Sequence, residues 1–245
     1  MKIVLKLFFI VLLFLVNSIS FAQSDTPKIK TSAHKMTDFI PVGWKKIYHV
    51  SGDLNKDLLV DEALIIENTN PKNLINNDGM GSNVLNVNPR ILLILFKEKD
   101  NTYKLVAQNT DFIPTENDAE STCLTDPLSE TGAIDIKKGI LIISYQYFMS
   151  CGSWSVTTVD YTFRFQNQKF ELIGFDSRDF HRASGEKSEL SLNFSTRKMS
   201  LTTGGNMFED EKDKPKTKWK NFKLDNLLSL EEMDNDSFEK MQNFD

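Results

Sequence analysis

Oxygen-bearing side chains alternate along Asp53-Leu54-Asn55-Lys56-Asp57-Leu58-Leu59-Val60-Asp61. Asp53, Asn55, Asp57 and Asp61 take the first, third, fifth and ninth loop positions, the spacing by which a tight turn aims successive oxygens at one hard cation. The Leu59 carbonyl would add a backbone ligand at the seventh, and calcium is the ion such an oxygen-only set suits. Two substitutions weaken the set. Leu58 stands where such loops place a glycine, in a backbone conformation costly for a branched side chain, and Leu64 stands where a bidentate acid closes the coordination sphere. The expected dissociation constant is therefore in the extracellular range of about 0.1 to 1 mM. The competing reading is that Asp53, Asn55 and Asp57 only turn the chain into a strand beginning at Glu62.

Gly52-Asp53-Leu54-Asn55-Lys56-Asp57, a short gap, then Asp61 and a hydrophobic strand resembles the G-D-x-N-x-D-G-x-x-D signature of FG-GAP and VCBS-type repeats. Three further runs, Arg90 to Leu95, Phe170 to Asp176 and Leu192 to Lys198, are similar to exported bacterial proteins of unassigned activity that carry one such motif. The resemblance spans roughly residues 40 to 205 and implies an extracytoplasmic β protein. A complete propeller is not expected, because the motif has no second copy at a fixed period.

Cys123 and Cys151 are the only cysteines, both in turn-like surroundings, and an even count in an exported chain predicts a disulfide between them. The sequence holds no H-E-x-x-H, no G-x-S-x-G and no G-x-x-x-x-G-K, and its histidines, His34, His49 and His181, are far apart. Carboxylates gather at Asp111, Glu116, Asp118, Glu120 and Asp126, a pattern that most often marks a solvated loop. Tyr145, Tyr147, Trp154, Tyr161, Phe163 and Phe165 alternate along two strands. They read first as the core face of a sheet and second as a surface for glycans or peptides.

The elements holding these residues are strands. Short apolar or alternating runs are expected at Lys46 to Val50, Glu62 to Glu67, Arg90 to Lys97, Tyr103 to Gln108 and Ala133 to Ile136. The pattern continues at Ile140 to Met149, Ser153 to Gln166, Lys169 to Asp176, Glu189 to Phe194 and Lys198 to Thr203. Joints at Lys99 to Thr102, Asn167-Gln168 and Ser195 to Arg197 are too short for parallel crossovers. The fold class is all-β: an antiparallel meander, curled or two-layered, as a propeller-like fragment or a sandwich, with a possible short C-terminal helix. Asn68 to Pro89 reads as a long loop. A single β-rich domain over 37 to 228 is expected, preceded by a flexible polar arm at 23 to 36. After it comes an acidic tail at 229 to 245, or a short helix there with a capping box at Ser229 and Glu232.

Lys2 and Lys6, the apolar run Leu7 to Val16, and the small residues Ser20 and Ala22 make a secretory leader over 1 to 22, cleaved after Ala22. The run is too short to cross a bilayer, which needs about 20 apolar residues, and no later stretch approaches that length. Loss of the two leader lysines takes the net charge from −5 to about −7, which argues against nucleic acid as a partner. The chain thus reads as a periplasmic or secreted non-catalytic β module for an unknown envelope or extracellular ligand, with calcium its one suggested cofactor. The alternative is an envelope hydrolase whose carboxylates converge on a β scaffold.

Overall fold

The computed structural model describes residues 26–128, 133–208 and 214–244; the expected leader lies outside them. Fourteen strands are present among the described residues, and all their pairings are antiparallel. The first layer is a five-stranded sheet in the order β1 (Ser32–Ala33), β7 (Tyr103–Asn109), β6 (Arg90–Lys97), β3 (Asp61–Asn68), β2 (Trp44–Gly52). The second layer runs, in reverse chain order, β14 (Lys216–Asn221), β13 (Lys198–Asn206), β12 (Glu186–Asn193), β11 (Lys169–His181), β10 (Ser155–Gln166), β9 (Ile140–Phe148), β8 (Ile134–Lys137). It is a pure meander. Its tight joints carry the positive φ values that two-residue hairpins demand, at Lys138-Gly139 and Asn167-Gln168.

The core lies between the layers. Ala63 and Ile65 of β3 and Leu92, Ile94 and Phe96 of β6 face Leu141, Ile143, Tyr161, Phe163 and Phe175 of the second sheet in one cluster. The sheets come close where β2 ends: a Cβ on Gly52 would sit 2.5 Å from the Ile136 side chain of β8, so glycine is required for that approach. β3 and β6 are apolar on both faces, and their other face, with Leu64, Ile66, Ile91, Leu93 and Leu95, forms a second cluster. Ile29, Phe39, Met36 and Ile40 cover it. From residue 26 on, the segment expected as a flexible arm is anchored, Ile29 and Met36 against this cluster and β1 by pairing with β7.

The expected long loop holds a small hairpin of its own, β4 (Leu74–Asn76) with β5 (Val84–Asn86). The C-terminal residues are part of the fold. The capping box forms, with the Glu232 carboxylate accepting the Ser229 N–H at 2.7 Å, but it caps a single 3₁₀ turn at Leu230–Glu232. The helix proper, α1, is Ser237–Gln242. Leu230, Met233 and Met241 are buried in the core, and the Asn109 amide donates to the carbonyls of Leu230 and Met233 at 2.7 and 2.8 Å. No helix of the described residues is long and apolar enough to cross a membrane.

Candidate functional site

The loop from Asp53 to Asp61 joins β2 to β3, and its acidic side chains are engaged with its own backbone. Asp53 accepts the N–H groups of Asp57 and Leu58 at 3.1 and 3.0 Å, and Asn55 Oδ1 accepts the same Asp57 N–H at 3.0 Å. Asp57 accepts from Leu59 N–H at 2.8 Å and from the Asn55 amide at 3.1 Å. These three side chains share one turn. Asp61 does not point the same way: it is buried, and its oxygens accept Leu54 N–H at 2.9 Å and Lys97 N–H at 3.0 Å, locking Leu54 into the core. Burial pushes its carboxyl above the usual range, against the lowering by those amides. No group of three or more His, Cys, Asp or Glu side chains converges among the described residues. A cation here would rely on Asp53, Asn55, Asp57 and the Leu59 carbonyl, a sparse set. Leu58 does adopt the left-handed conformation, with φ of 71°.

The other sequence candidates are scattered. The disulfide joins Cys123 to Cys151, with Cα atoms 5.4 Å apart. His181 accepts the Ser184 N–H. His49 lies beside Ser51 and Glu62 on β2 and β3, which looks at first like a nucleophile, base and orienting acid. The geometry rejects that. Glu62 and Ser51 both approach the same His49 Nε2, at 2.6 and 3.3 Å, and the Ser51 hydroxyl itself donates to Glu62 at 2.6 Å. A relay needs the two ring nitrogens to face different partners.

The acidic segment after β7 has distinct tasks. Arg90 of β6 is buried and donates to Glu67 of β3 at 2.8 Å and, through both terminal nitrogens, to Asp126 at 2.8 Å. Lys45 completes the Glu67 pair at 2.8 Å. Glu116 accepts from Asn86 at 2.7 Å. This network holds the segment 110–128 against the first sheet.

That segment forms one wall of a groove of about 440 Å³. Tyr145 and Tyr147 of β9 and Tyr161 of β10 form the floor, and Asp234, Asn235 and Phe238 close the far side. The rings cover one another: Tyr147 and Phe238 lie 4.8 Å apart at 31°, and Phe112 meets Tyr161 edge-on at 4.9 Å. The Tyr145 hydroxyl donates to the Phe112 carbonyl at 3.0 Å. The hydroxyls of Tyr147 and Tyr161 have no partner among the described residues, although Tyr161 is 0 % exposed. Tyr147 is half-buried, so its hydroxyl is the one that can open onto the groove, whereas Tyr161 borders the groove as buried floor.

Burial pushes the Tyr147 phenol up to about 12 and Tyr161 higher still, the latter helped by Tyr147 and Asp234. Both are therefore neutral hydrogen-bond donors at ordinary pH. Of the acids on the rim, Asp234 is held ionised below its usual range mainly by the Lys240 hydrogen bond, which unsuits it as a general acid. The aromatic alternation thus serves chiefly as core, with Tyr147 and Tyr161 also reaching the groove; Trp154 alone of the set is exposed. Neither the groove nor Asn109 has a signature in the sequence, since the groove draws on three distant stretches. No known family model, curated protein or solved structure matches the chain.

Proposed function

We propose that this chain is exported, loses its leader after Ala22, and acts in the periplasm or outside the cell as a non-catalytic β module that binds an envelope ligand in the groove above Tyr147 and Tyr161. The observation that carries the reading is the groove itself, of about 440 Å³, floored by aromatic rings, onto which the half-buried Tyr147 opens a hydroxyl with no protein partner among the described residues. Donors left open at the edge of a packed core are an expense that a ligand offsets. The disulfide supports an oxidising compartment, and the Gly52 to Asp61 resemblance to extracellular repeats supports the same location. The Asp53 to Asp61 loop is proposed as a weak calcium site that stiffens the β2–β3 connection.

The test is fractionation of the full chain from its native host, with intact mass, followed by sedimentation of the purified mature protein with that host's envelopes. Mature protein starting at Gln23, free in solution outside the cytoplasm and saturably co-sedimenting, is expected. A retained leader, or no co-sedimentation, overturns the reading; cleavage of the envelope polymer during incubation overturns its non-catalytic part.

A further inference from the structure

From Lys214 to Lys223 the chain carries five lysines and no acid, in a protein whose formal net charge is −5. The middle of this run is β14, the last strand of the seven-stranded sheet. It pairs with β13 on one side, and among the described residues no strand lies on the other. At the opposite end of the sheet Gly52 of β2 closes on Ile136 of β8, so β14 is this sheet's open edge. The register puts Lys216, Lys218 and Lys220 on one face, opposite Thr203, Leu201 and Met199, and Thr217, Trp219 and Asn221 on the other. We propose that β14 is a docking edge for an extended segment of a partner protein, one that alternates acidic and apolar residues and adds to the sheet as an eighth strand. The groove above Tyr147 shares no residue with this edge, so the inference stands apart from the binding reading above.

Charge selects the partner. Like charges directly opposite one another destabilise a strand pair, and opposite charges favour it. A second copy of β14, paired antiparallel about a two-fold axis, would set lysine against lysine on one face. Acids at alternate positions would instead meet Lys216, Lys218 and Lys220. Lysines on an edge also serve simply to keep other strands away. Trp219 argues against that as the whole account: it is 72 % exposed, and a large aromatic on an open edge invites pairing rather than deters it. An added strand would cover its ring with the apolar residues of its other face. A flat anionic surface would not, because the lysines and Trp219 leave the sheet on opposite faces. Beside Trp219 lies a recess of about 260 Å³, lined also by Lys198, Lys220 and Asn221, which suits one acidic side chain. A recess of this kind gives an added strand its register.

The test is fluorescence anisotropy of labelled peptides with the full mature chain. The probes are a peptide alternating glutamate with valine and tyrosine, and a scrambled isomer with its acids grouped. The alternating peptide is expected to bind about tenfold more tightly than the isomer and to slow hydrogen exchange of the β14 amides. Of two versions N-methylated at odd or at even residues, only one should bind, because an added strand turns alternate N–H groups to the edge. Lys216→Glu with Lys218→Glu should abolish the preference, and lysine in place of glutamate in the peptide should restore binding to this variant. Trp219→Ser should weaken the alternating peptide about fivefold. These positions are all exposed, so melting temperatures should stay unchanged. Equal binding of the scrambled isomer would reduce the edge to a charged patch, and binding to phosphatidylglycerol vesicles but to no peptide would make it a membrane contact. Either result overturns the inference. So does no binding at all, which leaves the lysines as guards of the edge.

Discussion

At the scale of single residues, two buried tyrosines on one sheet face differ in what their hydroxyls do for stability. Tyr145 and Tyr161 are both buried, but only Tyr145 spends its hydroxyl inside the protein. Tyr145→Phe strands the Phe112 carbonyl and should cost about 1 kcal/mol, whereas Tyr161→Phe should change stability by less than about 0.5 kcal/mol; urea denaturation of both variants checks this. Equal losses would mean that the Tyr161 hydroxyl has a structural partner after all. Arg90 is the opposite case. Removing it by Arg90→Ala leaves the buried Glu67 carboxylate with only the Lys45 ion pair among the described residues and takes the two-pronged hydrogen bond from Asp126, and a loss of about 3 kcal/mol is expected. The same network gives a pH dependence. Burial pushes the Glu67 carboxyl up, but hydrogen bonds from Lys45 and Arg90 outweigh it and hold the group below its usual 4.5. A depressed carboxylate adds stability above its unfolded value and loses it as pH falls through the folded one. Denaturation midpoints should therefore fall below about pH 4.5, and the Glu67→Gln variant should show a shallower fall. None of these roles was legible beforehand, because Arg90 and Asp126 are 36 positions apart.

At the scale of elements, the loop between β2 and β3 offers a decision between ion and turn. If it binds calcium, the folded state gains about 2.7 kcal/mol when the free ion is a hundred times the dissociation constant. Asp53→Ala and Asp57→Ala should each abolish a calcium-dependent rise in melting temperature. A turn alone predicts a loss of about 1 kcal/mol in either variant, the same in calcium and in chelator. Identical melting temperatures of the parent protein in millimolar calcium and in chelator decide for the turn. The ten expected strands are all present, since alternation and short apolar runs report burial directly. β14 was missed for the same reason: every residue of Lys216–Asn221 is exposed, so no apolar rhythm marks it, and its pairing with β13 defines it. The covering of the first sheet did have a signal. Unbroken apolar runs in β3 and β6 mean burial on both faces, so some segment had to lie over the outer one. Which segment was not legible, because Ile29, Met36, Phe39 and Ile40 have no regular period.

At the scale of the whole molecule, the disulfide ties the two layers together beside the groove. Cys123 ends the stretch that leaves the first sheet after β7, and Cys151 sits between β9 and β10 of the second. The same neighbourhood braces the β4–β5 hairpin: Thr122 donates to the Met80 carbonyl at 2.7 Å, and a Cβ on Gly81 would lie 2.0 Å from the Thr122 carbonyl. With a sequence separation of 28, the bond restricts the unfolded chain by roughly 3.5 kcal/mol in the chain-entropy account. The Cys123→Ala, Cys151→Ala double variant should therefore lose about 3 kcal/mol. Where the loss falls is testable. If the bond acts through the unfolded state, the denatured chain expands on its removal and the denaturant slope rises along with the drop in midpoint. If it acts by holding the segment 110–128 in place, the slope stays constant and ligand affinity at the groove falls with stability. Urea titrations of both forms, read for midpoint and slope together, separate the two. Thiol labelling of exported parent protein under denaturing, non-reducing conditions should find no free cysteine, and two labels per chain would remove the oxidising compartment from the argument.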